Sequence, residues 1–232
     1  GIPITQTTVS HLIVTIFLCT VCIVLGKRLT KRPNGVQVMV EKGVMMVRNM
    51  VVETMGEHNA HWTPFVATIF LSSICGSFIG LTGFLRSSTA DLSCTLVWAL
   101  MVTAIIWYHN IKNNGFLGWL KGFTEPIVVM TPMNVISEIA QPVSMAFRHF
   151  GNIASGSVIT ALIYGGLSAL SSLVLGLLPG AFGDVISQIP FFDFGIPAIL
   201  SLYFDFFSSV LQAFIFCMLT MMYIGGAAET DG

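Results

Sequence analysis

"SMAFRHFGN", residues 144–152, sets a permanent cation, Arg148, in the middle of an apolar stretch. Charge is scarce everywhere else: charged residues make up 9% of the 232-residue chain and apolar residues 54%, with a mean hydropathy of +0.84. A soluble domain carries roughly a quarter charged residues, so this chain lacks the charge to coat a soluble surface. Several windows exceed the roughly 18 uncharged residues that mark a spanning helix. The composition therefore describes an all-α integral membrane protein, and Arg148 lies inside one of its spans.

Five long apolar elements emerge around that arginine, within a single membrane domain. The first covers about residues 9–25 and ends in "GKRLTKRPNG", with four cations and a breaker pair. Residues 36–56, "VQVMVEKGVMMVRNMVVETMG", are too charged to span comfortably and suit an interfacial amphipathic helix, or a hairpin bent at Gly43. The second and third spans are expected at about 64–84 and 92–108, followed by a polar loop, "HNIKNNG". The fourth element, about 133–178, would be more than twice the membrane core in length at about 1.5 Å per residue. It must tilt strongly, bend, or divide, with Pro142, Gly151 and the "YGG" at Tyr164 as candidate bend points. The fifth runs over about 196–223.

Basic residues set the orientation. Lys27, Arg28, Lys31, Arg32, Lys42 and Arg48 lie between the first and second spans, and Lys112 and Lys121 after the third. The positive-inside rule puts both regions in the cytoplasm, the amino terminus outside and the carboxyl terminus inside. The chain opens on Gly1 without a methionine, so a processed or truncated amino terminus is expected. The five cysteines lie in apolar segments and read as small buried hydrophobes. A net charge of −1 favours no nucleic-acid partner.

A charge at the bilayer centre costs roughly 2.5–3.5 kcal/mol on the lenient insertion scale and is tolerated facing protein or a wet cavity. At 100° per residue, Asn134, Glu138, Gln141, Arg148, Asn152 and Ser155 fall within a sector of about 100°. In "YFDFFSSVLQAFIF", Asp205, Ser209 and Gln212 form a second polar stripe at spacings of four and three. An unpaired carboxylate in hydrocarbon takes up a proton, because burial disfavours its charged form. The two helices are therefore expected to face one another or a third partner. Three readings stay open on these residues alone: interhelical glue, an ion pathway or ligand site, or a topology other than the one drawn from hydropathy.

"PVSMAFRHFGNIASGSVI", residues 142–159, resembles the signature of subunit a of F-type ATP synthases, the stator of the membrane sector. "LQAFIFCMLTMMYIGGA", residues 211–227, resembles that family's carboxyl-terminal helix, and "TPMNVISEIAQP" leads into the signature as the family would have it. The strong part of the similarity is the last hundred residues. The resemblance implies that the fourth and fifth elements are tilted helices packed as a hairpin against a ring of c subunits. It implies that Arg148 faces the ring and drives ion release from a ring carboxylate between two half-channels. Asn152 and Gln212 match the family's asparagine one turn later and its glutamine on the last helix. Asp205 falls seven residues before that glutamine, where relatives carry an acid or histidine, and Glu138 where many carry a glutamate. The implied partners are the c-ring, peripheral-stalk b subunits, the soluble ATPase sector and membrane lipid. The implied setting is an energy-converting membrane, a bacterial plasma membrane first. No bound cofactor or metal is expected, only a translocated H⁺ or Na⁺.

Two departures from the family pattern matter. Gly156 is followed by Ser157 where relatives often carry an acid or histidine, so the relay is expected to lean on Asp205 and Glu138. His149 stands where an aliphatic residue is usual, and is either a proton carrier or a packed neutral imidazole. No phosphate loop of the form G-x-x-x-x-G-K-[ST] occurs, so nucleotide chemistry would belong to partner subunits. A free-standing secondary transporter with Arg148 as an anion clamp is the alternative, but it predicts repeat symmetry, which is not found. A haem or quinone protein would want paired histidines on facing spans, and His11, His109 and His149 fit that poorly.

Overall fold

A computed structural model describes residues 5–30, 35–82, 85–125, 127–176 and 202–228. Among the described residues every regular element is helical: α1 (Gln6–Lys27), α2 (Gly35–Met55), α3 (Thr63–Phe78), α4 (Leu92–Gly122), α5 (Thr131–Gly176) and α6 (Ser208–Ala228). Four described stretches are long and apolar enough to cross a membrane: Gln6–Lys27, Leu92–Gly122, Val128–Val174 and Ser208–Ala228. The expected second span is built differently, as the 16-residue α3 followed by a four-residue 3₁₀ turn, Ile79–Thr82.

The shortening of α3 has a local cause. Ser88 sits so close to Gly76 that a β-carbon there would clash with its hydroxyl. Ser87 donates to the Gly76 carbonyl at 2.9 Å, and Thr89 joins Ser77 and Ser87 at 2.9 and 2.8 Å. The serine-rich return loop thus takes up the helix end's polar groups, which an α-helix leaves unsatisfied.

Of the two forms open for residues 36–56, the chain adopts an unbroken helix, with Gly43 helical. Val47, Val51 and Met55 are buried at i, i+4 and i+8, so one stripe of α2 belongs to the core. Gly56, at φ 84°, ends it in a left-handed conformation that favours glycine.

The expected loop at 109–115 is mostly helix instead. Asp91 caps α4 by accepting from the Ser93 amide at 2.9 Å, and the helix continues through the asparagines to Gly115, whose φ of 69° makes the break. Asn113 reaches across to the Ala227 carbonyl at 3.2 Å, a tertiary contact that overrides local turn preference.

α5 is a single helix of 46 residues with Pro142 inside it, so none of the candidate bend points divides it. At about 1.5 Å per residue it is about 69 Å long, against a hydrocarbon core of about 30 Å. A π-helical turn, Leu202–Phe207, leads into α6. Residues 177–178 and 196–201 of the expected fourth and fifth elements lie outside the described residues.

α6 is the centre of the bundle, packed on α2, α3, α4 and α5. Ala99, Val102, Ala146, Phe216, Cys217 and Met221 are buried around it, and small side chains let the backbones approach. Outward-facing apolar residues, among them Leu12, Ile16, Phe17, Leu100 and Leu162, suit a lipid surround. Of the five free cysteines only Cys217 is buried; Cys19 and Cys22 are exposed on α1, so the expectation of buried thiols fails there.

Candidate functional site

Neighbouring residues of α5 part company at the site. Pro142, Met145, Ala146, His149 and Gly156 face inward, while Ser144, Phe147 and Arg148 face outward. The split follows from 100° per residue once one stripe packs against α4 and α6. Arg148 is exposed and makes no ion pair or hydrogen bond among the described residues.

Asn152 lies at the border between the two faces. Ser208 donates to its side-chain oxygen at 2.9 Å, and its amide donates to the Ser208 carbonyl at 3.3 Å. His149 packs on Phe216, ring centroids 5.6 Å apart, so α5 and α6 run antiparallel. Four residues back along α5 and four on along α6, each about 6 Å, bring Arg148 and Gln212 to one level. Gln212 is buried, and its amide nitrogen has no hydrogen-bond partner among the described residues. Ser209, one turn earlier, is buried as well.

His149 is fully buried between Trp98 and Phe216, with Nε2 3.1 Å from the Ser73 hydroxyl and Nδ1 without a partner among the described residues. Ser157 is exposed and donates to the Ala154 carbonyl at 2.8 Å. Ser155 likewise bonds its own helix, at the Asn152 carbonyl. Glu138 accepts a hydrogen bond from the Trp107 indole. Asn134, one turn before, donates to the carbonyls of Phe123 and Glu125 at 2.9 and 3.1 Å. Asp205 falls in the π-helical turn, and its side chain lies outside the described residues.

Two open cavities flank the arginine. A smaller one, about 470 Å³, lies near the start of α5 and is lined by Asn110, Asn114, Trp119, Glu125, Asn134 and Glu138 among others. A larger one, about 1210 Å³, lies further along α5 and is lined by residues that include Thr7, Arg86, Asp91, Ser157, Tyr164 and Ser209. At its rim, the Thr7 hydroxyl donates to Asp91 at 2.8 Å. That bond, the Ser93 amide and nearby Arg86 hold the Asp91 carboxyl below its ordinary range. Arg148 lines neither cavity and falls between the two lining sets along the helix.

A profile of the ATP synthase A chain matches residues 8–225. The chain belongs to the ATP synthase A chain family. It is 31% identical to the "ATP synthase subunit a, sodium ion specific" of Propionigenium modestum over 242 residues, covering 98% of this chain and 75% of that relative. It is 31% identical to ATP synthase subunit a of Anoxybacillus flavithermus, covering 94% and 89% of the two chains. The Aquifex aeolicus ATP synthase subunit a is 27% identical, covering 96% and 97%. As a member of the A chain family, it is an ion-translocating membrane subunit of an ATP synthase, with bacterial relatives.

For this A chain, the structure brings Arg148, Asn152 and Gln212 to one region of the α5–α6 pair, and sets Glu138 and Ser157 in separate cavities. Sequence reasoning missed Trp107, Ser73, Ser208 and the Thr7–Asp91 contact. Nothing in the local sequence of Trp107 announces a partner 31 residues away.

Proposed function

We propose that this subunit passes ions between two aqueous half-channels by way of a ring of c subunits, with Arg148 driving release from the ring carboxylate. One observation carries the reading: a guanidinium on the outward face of α5, without a partner among the described residues and flanked along the helix by two cavities. A cation so placed stabilises a carboxylate brought against it in ionised form, so the ion leaves into one cavity. The carboxylate reloads from the other before returning to lipid. The fixed charge also opposes a direct leak of cations between the cavities.

Arginine suits the task because its charge persists in a dry site, where a lysine readily loses its proton. The membrane potential supplies about 2.3 kcal/mol per charge per 100 mV, so a much stronger contact would stall rotation; a wet, loose contact is expected. Asn152 and Gln212 hold the wall beside the guanidinium. Glu138 serves the half-channel near the start of α5, on the cytoplasmic side by the positive-inside rule. Ser157, Ser209 and Asp205 serve the other, and His149 backs it from the interior. The long helix α5 crosses strongly tilted, since about 69 Å of helix meets about 30 Å of hydrocarbon. Peripheral-stalk b subunits hold the subunit against the ring, and the soluble ATPase sector supplies the nucleotide chemistry.

The ion is H⁺ or Na⁺; similarity to the sodium-specific Propionigenium modestum protein makes added Na⁺ the first variable to test. In liposomes holding the whole complex, Arg148→Lys abolishes ATP-driven pumping while assembly survives. Normal pumping in that variant would contradict the role.

A further inference from the structure

We propose that Trp107 is a positioning residue for ion transfer, its indole N–H holding the Glu138 carboxylate at the edge of the smaller cavity. The inference rests on Glu138 serving that half-channel. Trp107 projects from α4 and Glu138 from α5, and among the described residues the indole is the carboxylate's hydrogen-bond partner. The Trp107 ring is itself braced against Trp119, centroids 5.9 Å apart, and Trp119 lines the same cavity as Glu138.

Four features make this more than aromatic packing. An indole N–H is a donor with no acceptor capacity, so it fixes a carboxylate without competing for the ion. A hydrogen bond to an ionised acceptor is roughly twice as strong as a neutral one. It engages Oε1, which leaves Oε2 for water or the passing ion. Asn134, one turn before Glu138, anchors α5 to the chain just after α4, so the carboxylate is held from a firm base. Without the indole, Glu138 swings among rotamers and meets the ion in the right place less often.

The test replaces Trp107 with β-(3-benzothienyl)alanine, which keeps the ring's size but has sulfur in place of N–H, in the complete complex. Ion conduction is measured in vesicles stripped of the soluble sector, under an imposed potential. The expected loss is about tenfold, the scale of a charge-assisted hydrogen bond. Ring co-purification and ATP hydrolysis by the released soluble sector should stay unchanged. Glu138→Gln should conduct at least as poorly, and adding the isostere to it should change nothing further. Wild-type conduction in the isostere beside impaired Glu138→Gln would overturn the positioning role alone. A further loss on adding the isostere to Glu138→Gln would overturn it too. Wild-type conduction in Glu138→Gln would instead bring down the reading of Glu138 itself.

Discussion

Arg148 and His149 are consecutive residues with opposite fates. One stands exposed on the outer face of α5, without a partner among the described residues, and the other is fully buried under Trp98 and Phe216. A turn of 100° separates a charge that, on the proposed function, meets a moving partner from a ring packed into the wall behind it. The lesson is that α5 does two jobs at once. Its inward stripe is packed like a core, so its outward stripe can hold a charge in a constant place without bonding it.

That contrast can be broken from either side. The largest stability effect is expected inside. His149→Ala removes a fully buried ring and leaves the Ser73 hydroxyl unpaired, which should cost about 3 kcal/mol. Thermal unfolding of the purified complex checks it, and Phe147→Ala on the outer face serves as the control that should barely move.

Next in size is the border. Ser208→Ala removes the donor to Asn152 and should cost about 1 kcal/mol. It should also slow pumping several-fold if the Asn152–Ser208 bond sets the level of Gln212 against Arg148. An unchanged pumping rate would separate the bond from the function.

The smallest effect lies at the larger cavity's rim. The Asp91 carboxyl is held low in the folded chain, first by the Thr7 hydroxyl. Its contribution is therefore present above the unfolded-state carboxylate value and fades as pH falls through the folded one. Thr7→Ala should weaken the fold slightly at neutral pH and leave it unaffected at strongly acidic pH. An equal loss at both extremes would show that packing, not ionisation, carries the contact.

Much of this was legible in the residues. The long fourth element and the placement of Arg148 with Asn152 follow from 3.6-residue periodicity and the scarcity of charge, whereas the pairing of the last two helices comes from the family resemblance, since the polar stripes alone leave a third partner open. Local turn chemistry misled at 109–115: the asparagines look like a loop, but a helix already packed along α5 and α6 carries through them until Gly115. The end of α3 was equally hidden, because it depends on serines 87 and 88 folding back onto Gly76. Pro142 did not break α5, since it sits buried in a helix held on both sides. Contacts such as Trp107–Glu138 and His149–Ser73 join distant positions, and hydropathy carries no signal for them.

The central claim is that the Arg148 face of α5 meets the ring. Cysteines placed singly at Ser144, exposed on that face, and at Ala146, buried on the opposite one, test it against a series of cysteines along the ring's outer helix. Oxidation should link position 144 to the ring near the level of its carboxylate and leave position 146 unlinked. Linkage at 146, with 144 silent, would contradict the account.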